Sequence, residues 1–140
     1  MTWQLVFDGL IPYDPGKAGI SISARLQSGA IIIDVPANID TGSTYCIFER
    51  MYGEDLGFNI ETGHRQIIGT ATGSFVAYGH EVALTVENYC FNSIIYFPED
   101  PSINRNVLGR HGFINRVQLG LIDYEGKLFL SRFGDNRGGA

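Results

Sequence analysis

Short stretches of alternating apolar and polar residues, rich in Ile, Val, Phe and Tyr and broken by glycine and proline, run along the whole chain. This period of two predicts strands over about residues 3–7, 19–26, 30–40, 65–69, 75–86, 93–97 and 119–131. With 18 glycines and 5 prolines among 140 residues, the breaks come often enough for an antiparallel all-β domain. Tyr13-Asp14-Pro15-Gly16 and Gln27-Ser28-Gly29 supply the first turns, and the last strand pair turns around Glu125-Gly126. Helix is a minor component. Cys46, Ile47, Phe48, Met51 and Leu56 fall near helical spacing, which predicts a short helix or turn there. A second short helix is expected after Gly109, from Phe113, Ile114 and Val117.

The length suits one domain, residues 1–140, with no internal repeat or linker. Residues 134–140 are polar and glycine-rich and are expected to fray. At 44% hydrophobic and 18% charged, the chain has more apolar and less charged surface than an isolated small domain needs, so some of it is expected to face another subunit. Net charge is −5 and the ten basic residues are scattered, which argues against nucleic-acid binding. The first ten residues carry Asp8 and no Lys or Arg, and no apolar run reaches membrane-span length. The chain therefore reads as a soluble, cytoplasmic and nearly complete small protein with no membrane partner. Cys46 and Cys90 lack a close spacing and sit among Tyr, Ile and Phe, so two buried thiols are expected rather than a bridge.

The chemistry concentrates at Asp40-Thr41-Gly42-Ser43, which ends the apolar run that begins at Ala30. An Asp-Thr-Gly turn at a strand end suits an aspartic peptidase, although Asp and Gly in such a turn are also ordinary turn chemistry. That reaction needs two carboxylates in contact sharing one proton, because two like charges so close cannot both ionise. The chain supplies one. Asp34, the nearest earlier acid, lies roughly 20 Å away along an extended strand at about 3.3 Å per residue. A second aspartate would then come from a second copy of the chain about a two-fold axis.

Two further motifs accompany it. Residues 65–76 carry glycines on both sides of a tight tip, and Val107-Leu108-Gly109-Arg110 places two apolar residues before a glycine and an arginine. With Ile39-Asp40-Thr41-Gly42-Ser43-Thr44, these make the chain resemble the retropepsin-like (retroviral-type) aspartic peptidases over most of its length, as a bacterial-type single-domain member. The closing stretch Ile122-Asp123-Tyr124-Glu125-Gly126-Lys127-Leu128 resembles the terminal hairpin of bacterial members.

The resemblance implies an all-β closed barrel with a flap hairpin and one short C-terminal helix, assembling as a two-fold homodimer. Asp40 would be the catalytic carboxylate. Thr41 would hydrogen-bond across the dimer axis, Gly42 would let the opposing loops approach, and Ser43 would hydrogen-bond the outer carboxylate oxygen. Gly69, Thr70, Ala71, Thr72, Gly73, Ser74 and Phe75 would form the flap over an extended peptide or protein substrate. Leu108, Gly109 and Arg110 would form the structural signature beneath the aspartate loop. Thr44 departs from the pattern, since retroviral enzymes usually carry there an acidic residue paired with the signature arginine. No cofactor is implied, and no metal, since His64, His80 and His111 show no ligand spacing.

No Gly-x-Ser-x-Gly elbow and no activated Cys–His pair compete. Tyr78, Phe75 and Phe97 are candidates for subsite walls, with core packing as the competing role. The alternative function is a catalytically silent dimeric β-barrel module that binds extended peptides by strand addition.

Overall fold

A computed structural model describes residues 1–132 of the chain. In chain order the strands are β1 (Gly9–Pro12), β2 (Ser21–Ser28), β3 (Ile31–Ile39), β4 (Cys46–Ile47), β5 (His64–Thr70), β6 (Gly73–Val86), β7 (Tyr89–Pro98), β8 (Val107–Leu108), β9 (Val117–Ile122) and β10 (Lys127–Arg132). Six of them close a barrel in the order β2-β3-β8-β4-β7-β6. The ring is completed by antiparallel pairing of Arg25, Leu26 and Gln27 with Thr85, Leu84 and Ala83. β5 lies outside the ring on β6, and β1-β10-β9 form a separate three-stranded sheet.

Alternation explains which side of each strand is buried. On β2, Ile22, Ala24 and Leu26 face the core while Ser21, Ser23 and Arg25 face out; on β3, Val35 and Ala37 are buried. Across the pair Arg25 stands in register with Asp34 and grips it at 2.8 and 3.1 Å. Phe48, Phe97, Phe113, Leu84, Ile95 and Leu108 are wholly excluded from water, each side chain contributing about 1.5–3 kcal/mol of transfer free energy. A second cluster of Ile47, Ile68, Ala77, Tyr96 and Val107, with Tyr45 and Phe75 against it, ties the base of the β5–β6 hairpin to the central strands.

The structure corrects the sequence reading in four places. Residues 3–7 form no strand. The chain pairs with β10 as a strand only from Gly9; Phe7 packs on Phe129 at 5.9 Å and the Ser131 hydroxyl bridges the Val6 carbonyl and the Asp8 amide, but Trp3, Leu5 and Val6 stay exposed and pair with no strand among the described residues. β4 and β8, two residues each, escape the period-two pattern because tertiary pairing alone makes them strands.

The helix expected after Gly109 is a single 3₁₀ turn, Ile114–Arg116. Gly112 at φ +108° blocks helix entry, and β9 claims the chain from Val117. The only α-helix among the described residues is α1 (Arg50–Asp55), inside the segment read as a short helix. Its Gly53 presses the barrel, since a Cβ there would lie 2.7 Å from Ile60 and 2.8 Å from Phe97.

The fourth correction concerns Cys90. Both thiols are free, but Cys90 is exposed because it takes an outward position on β7 between buried Tyr89 and half-buried Phe91. The expected tail, residues 134–140, lies outside the described residues. Among those described, no helix is long and apolar enough to cross a membrane.

Candidate active site

Asp40 is the first residue beyond β3. The end of β3 runs parallel to β8, with Asn38 opposite Val107 and Ile39 opposite Leu108. The Asp40 amide continues that ladder by donating to the Leu108 carbonyl at 3.1 Å. The chain then turns: the Ser43 amide donates to the Asp40 carbonyl at 3.1 Å, and the Gly42 amide donates to Asp40 Oδ1 at 2.9 Å. One carboxylate oxygen is thereby fixed by backbone. The other, Oδ2, accepts no hydrogen bond among the described residues, and the side chain is 40% exposed.

Beneath this loop the 107–111 segment acts as a clamp. The Arg110 amide donates to the Ser43 carbonyl at 2.9 Å and the His111 amide to the Thr44 carbonyl at 2.8 Å. Gly109 sits under both, where a Cβ would come within 2.2 Å of the Tyr45 carbonyl oxygen and 2.7 Å of that of Ser43. Glycine is required by proximity here. Cys46 closes the underside, its Sγ accepting the Gly109 amide at 3.4 Å. Burial pushes its thiol up to about 12, against the lowering effect of that hydrogen bond, so it is no nucleophile at neutral pH.

The β5–β6 hairpin reaches over the loop. Its ladder runs through Ile68↔Phe75, Gly69↔Ser74 and Thr70↔Gly73 to a two-residue tip, Ala71-Thr72. Ile68 anchors the base, whereas nothing lies within 4 Å of a Cβ placed on Gly69 or Gly73. Two cavities open under the hairpin. One, of ≈ 260 Å³, lies between Gly42–Tyr45 and Gln66–Gly69; the other, of ≈ 550 Å³, lies between the tip residues Thr70–Phe75 and the loop Ser102–Arg105. Arg105 lines both, and its Nη2 is 3.8 Å from Asp40 Oδ2.

No protein-family model and no curated protein matches the sequence. Solved structures do match the fold. A retropepsin-like aspartic protease from Rickettsia conorii is similar at TM-score 0.65 with 17% identity, over 87% of this chain and 96% of that one. The EIAV protease, solved with the inhibitor HBY-793, is similar at TM-score 0.55 with 14% identity, over 71% of this chain and 88% of that one. The chain has the retropepsin-like fold.

Within this retropepsin-like fold, the three motifs legible in the sequence lie side by side. Gly42 and Ser43 line one cavity with Gly69, Thr70 to Phe75 line the other, Leu108 and Gly109 pack against the 40–45 turn, and Asp40 lines neither cavity but lies 3.8 Å from Arg105, which lines both. Ser43 is placed differently from expectation. Its buried hydroxyl donates to the Tyr45 carbonyl at 2.7 Å, bracing the turn instead of touching the Asp40 carboxylate. The Thr41 hydroxyl has no hydrogen bond among the described residues and is open to solvent.

Arg110 bonds through its backbone amide, and its exposed guanidinium meets no carboxylate among the described residues, Thr44 standing where retroviral enzymes usually carry an acid. Tyr78 and Phe97 belong to the core, and only Phe75 of the three aromatic candidates lines a cavity. Arg105 belongs to none of the motifs read in the sequence. It lies in a polar loop without periodicity, and its one signal was position, three residues upstream of the Leu108 that meets the aspartate loop.

Proposed function

We propose that the chain is an aspartic endopeptidase that works as a homodimer, with Asp40 and its symmetry mate as the catalytic pair. The observation that carries this reading is the setting of the Asp40 carboxylate. Oδ1 is held by the Gly42 amide, and Oδ2 of the half-exposed side chain lies 3.8 Å from Arg105, which lines both cavities beside the β5–β6 hairpin, in a fold shared with aspartic proteases. No other acid pairs with Arg105 among the described residues, and Asp34 is committed to Arg25 on the outer face of the barrel. One chain therefore offers half of the required pair, which is the reason for the dimer. Exposed Trp3, Leu5 and Val6 give apolar surface for self-association.

In this reading one aspartate is protonated and the other ionised. The ionised member takes a proton from a water whose oxygen attacks the scissile carbonyl carbon, while the protonated member gives its proton to the carbonyl oxygen. The tetrahedral intermediate collapses by breaking the carbon–nitrogen bond, and the leaving amine takes a proton from the pair. Thr41 would bridge the two loops, and the β5–β6 hairpin would act as a flap, adding a strand to the substrate and excluding water.

Cleavage of a diverse peptide mixture from pH 4 to 7, read by mass spectrometry, tests the proposal. Products made by the native chain and absent with Asp40→Asn are expected. A dimer that cuts nothing at any pH would instead favour the silent peptide-binding module.

A further inference from the structure

Among the described residues, the arginines that approach carboxylates, Arg25, Arg50 and Arg105, are used unequally. Arg25 grips Asp34 through two donors at 2.8 and 3.1 Å, and Arg50 grips Glu61 through two donors at 2.5 and 2.9 Å. Arg105 makes no hydrogen bond among the described residues. Its one ion pair among the described residues is with Asp40 Oδ2, at 3.8 Å and through one nitrogen. With 31% of its side chain exposed, this is a weak, water-screened contact. The guanidinium thus keeps its forked set of donors unused.

Its surroundings say what those donors suit. Among the described residues lining the two cavities, Arg105 is the only charged one; Thr44, Gln66, Thr70 and Ser102 are neutral. The cleft therefore has one fixed positive charge, in a chain of net charge −5. That charge also sits beside the oxygen a second aspartate and a water would need.

We propose that Arg105 is a specificity residue that selects substrates carrying a carboxylate side chain, Glu or Asp, close to the scissile bond. Docking passes the guanidinium from Asp40 to the substrate carboxylate, where a bidentate pair forms. The acidic side chain is thereby held beside Asp40. This inference rests on the peptidase reading of the cleft.

The test uses short peptides with an apolar pair at their centre, matched in pairs that carry Glu or Gln at each flanking position. For the native protein, Glu at one position should raise kcat/KM about tenfold over Gln. Arg105→Gln should bring that ratio to one, and Arg105→Glu should turn the preference toward Lys. No Glu preference at any position, or a preference unchanged in Arg105→Gln, overturns the assignment while leaving the peptidase reading intact.

Binding of the same fluorescently labelled pairs to Asp40→Asn, followed by anisotropy, separates the two ideas. A Glu preference there that disappears in Asp40→Asn/Arg105→Gln supports the Arg105 assignment even if the native chain cuts nothing, an outcome that would remove the peptidase reading alone. Equal binding of Glu and Gln peptides to Asp40→Asn overturns the assignment.

Discussion

A Cβ on Gly109 would stand 2.2 Å from the carbonyl oxygen of Tyr45. The contact is backbone against backbone, with Arg110 and His111 bonded on to Ser43 and Thr44 just beyond it, so nothing flexible can yield. Gly109→Ala must therefore push the 107–111 segment off the aspartate loop. The expected cost is about 3 kcal/mol or more in urea unfolding, with loss of any peptide cleavage. Gly69→Ala is the contrast, since its Cβ would meet nothing within 4 Å and its stability should stay within about 0.5 kcal/mol of the native chain.

The two thiols should differ in reactivity under native conditions. Cys90 is exposed, whereas Cys46 is wholly buried and its thiol is pushed up to about 12. A maleimide should label one site per chain, mapped by mass spectrometry to Cys90, and reach Cys46 only after denaturation. Rapid labelling of Cys46 in the folded protein would contradict the closed underside of the aspartate loop.

A third expectation concerns acid. Hydrogen bonds from Arg50 hold the Glu61 carboxyl below the ordinary range, opposed by a smaller desolvation effect. A carboxyl lowered on folding contributes stability above its unfolded value, about 4.3, and loses it as pH falls through the lower folded value. Glu61→Gln should thus melt below the native chain at pH 7, and the difference should close below about pH 4. A Tm difference that persists unchanged into acid would mean that the pair does not stabilise α1 against the Ile60–Thr62 turn.

Much of this arrangement was legible because it is local. Strands such as β2 and β3 declare themselves through alternation, and Asp40, the glycine-flanked hairpin tip and Leu108-Gly109 are each contiguous in sequence. What was illegible is relational. β4 and β8 are strands only because parallel and antiparallel partners arrive from distant segments. Ser43 chose the nearby Tyr45 carbonyl over the carboxylate because the turn directs its hydroxyl inward. The helix expected from Phe113, Ile114 and Val117 failed because Phe113 and Val117 are core residues on either side of a single turn, a spacing that imitates helical periodicity. Arg105 reaches Asp40 through the barrel crossing, which no local pattern encodes.

The central claim is that each active site needs two copies of Asp40. Native chain and Asp40→Asn should be mixed at fixed total concentration, allowed to exchange, and assayed on a peptide that the native chain cuts. If the catalytic pair is shared between subunits, the rate falls with the square of the native fraction, because only native–native dimers act. A rate that falls in direct proportion to that fraction would place a complete site within one chain and contradict the account.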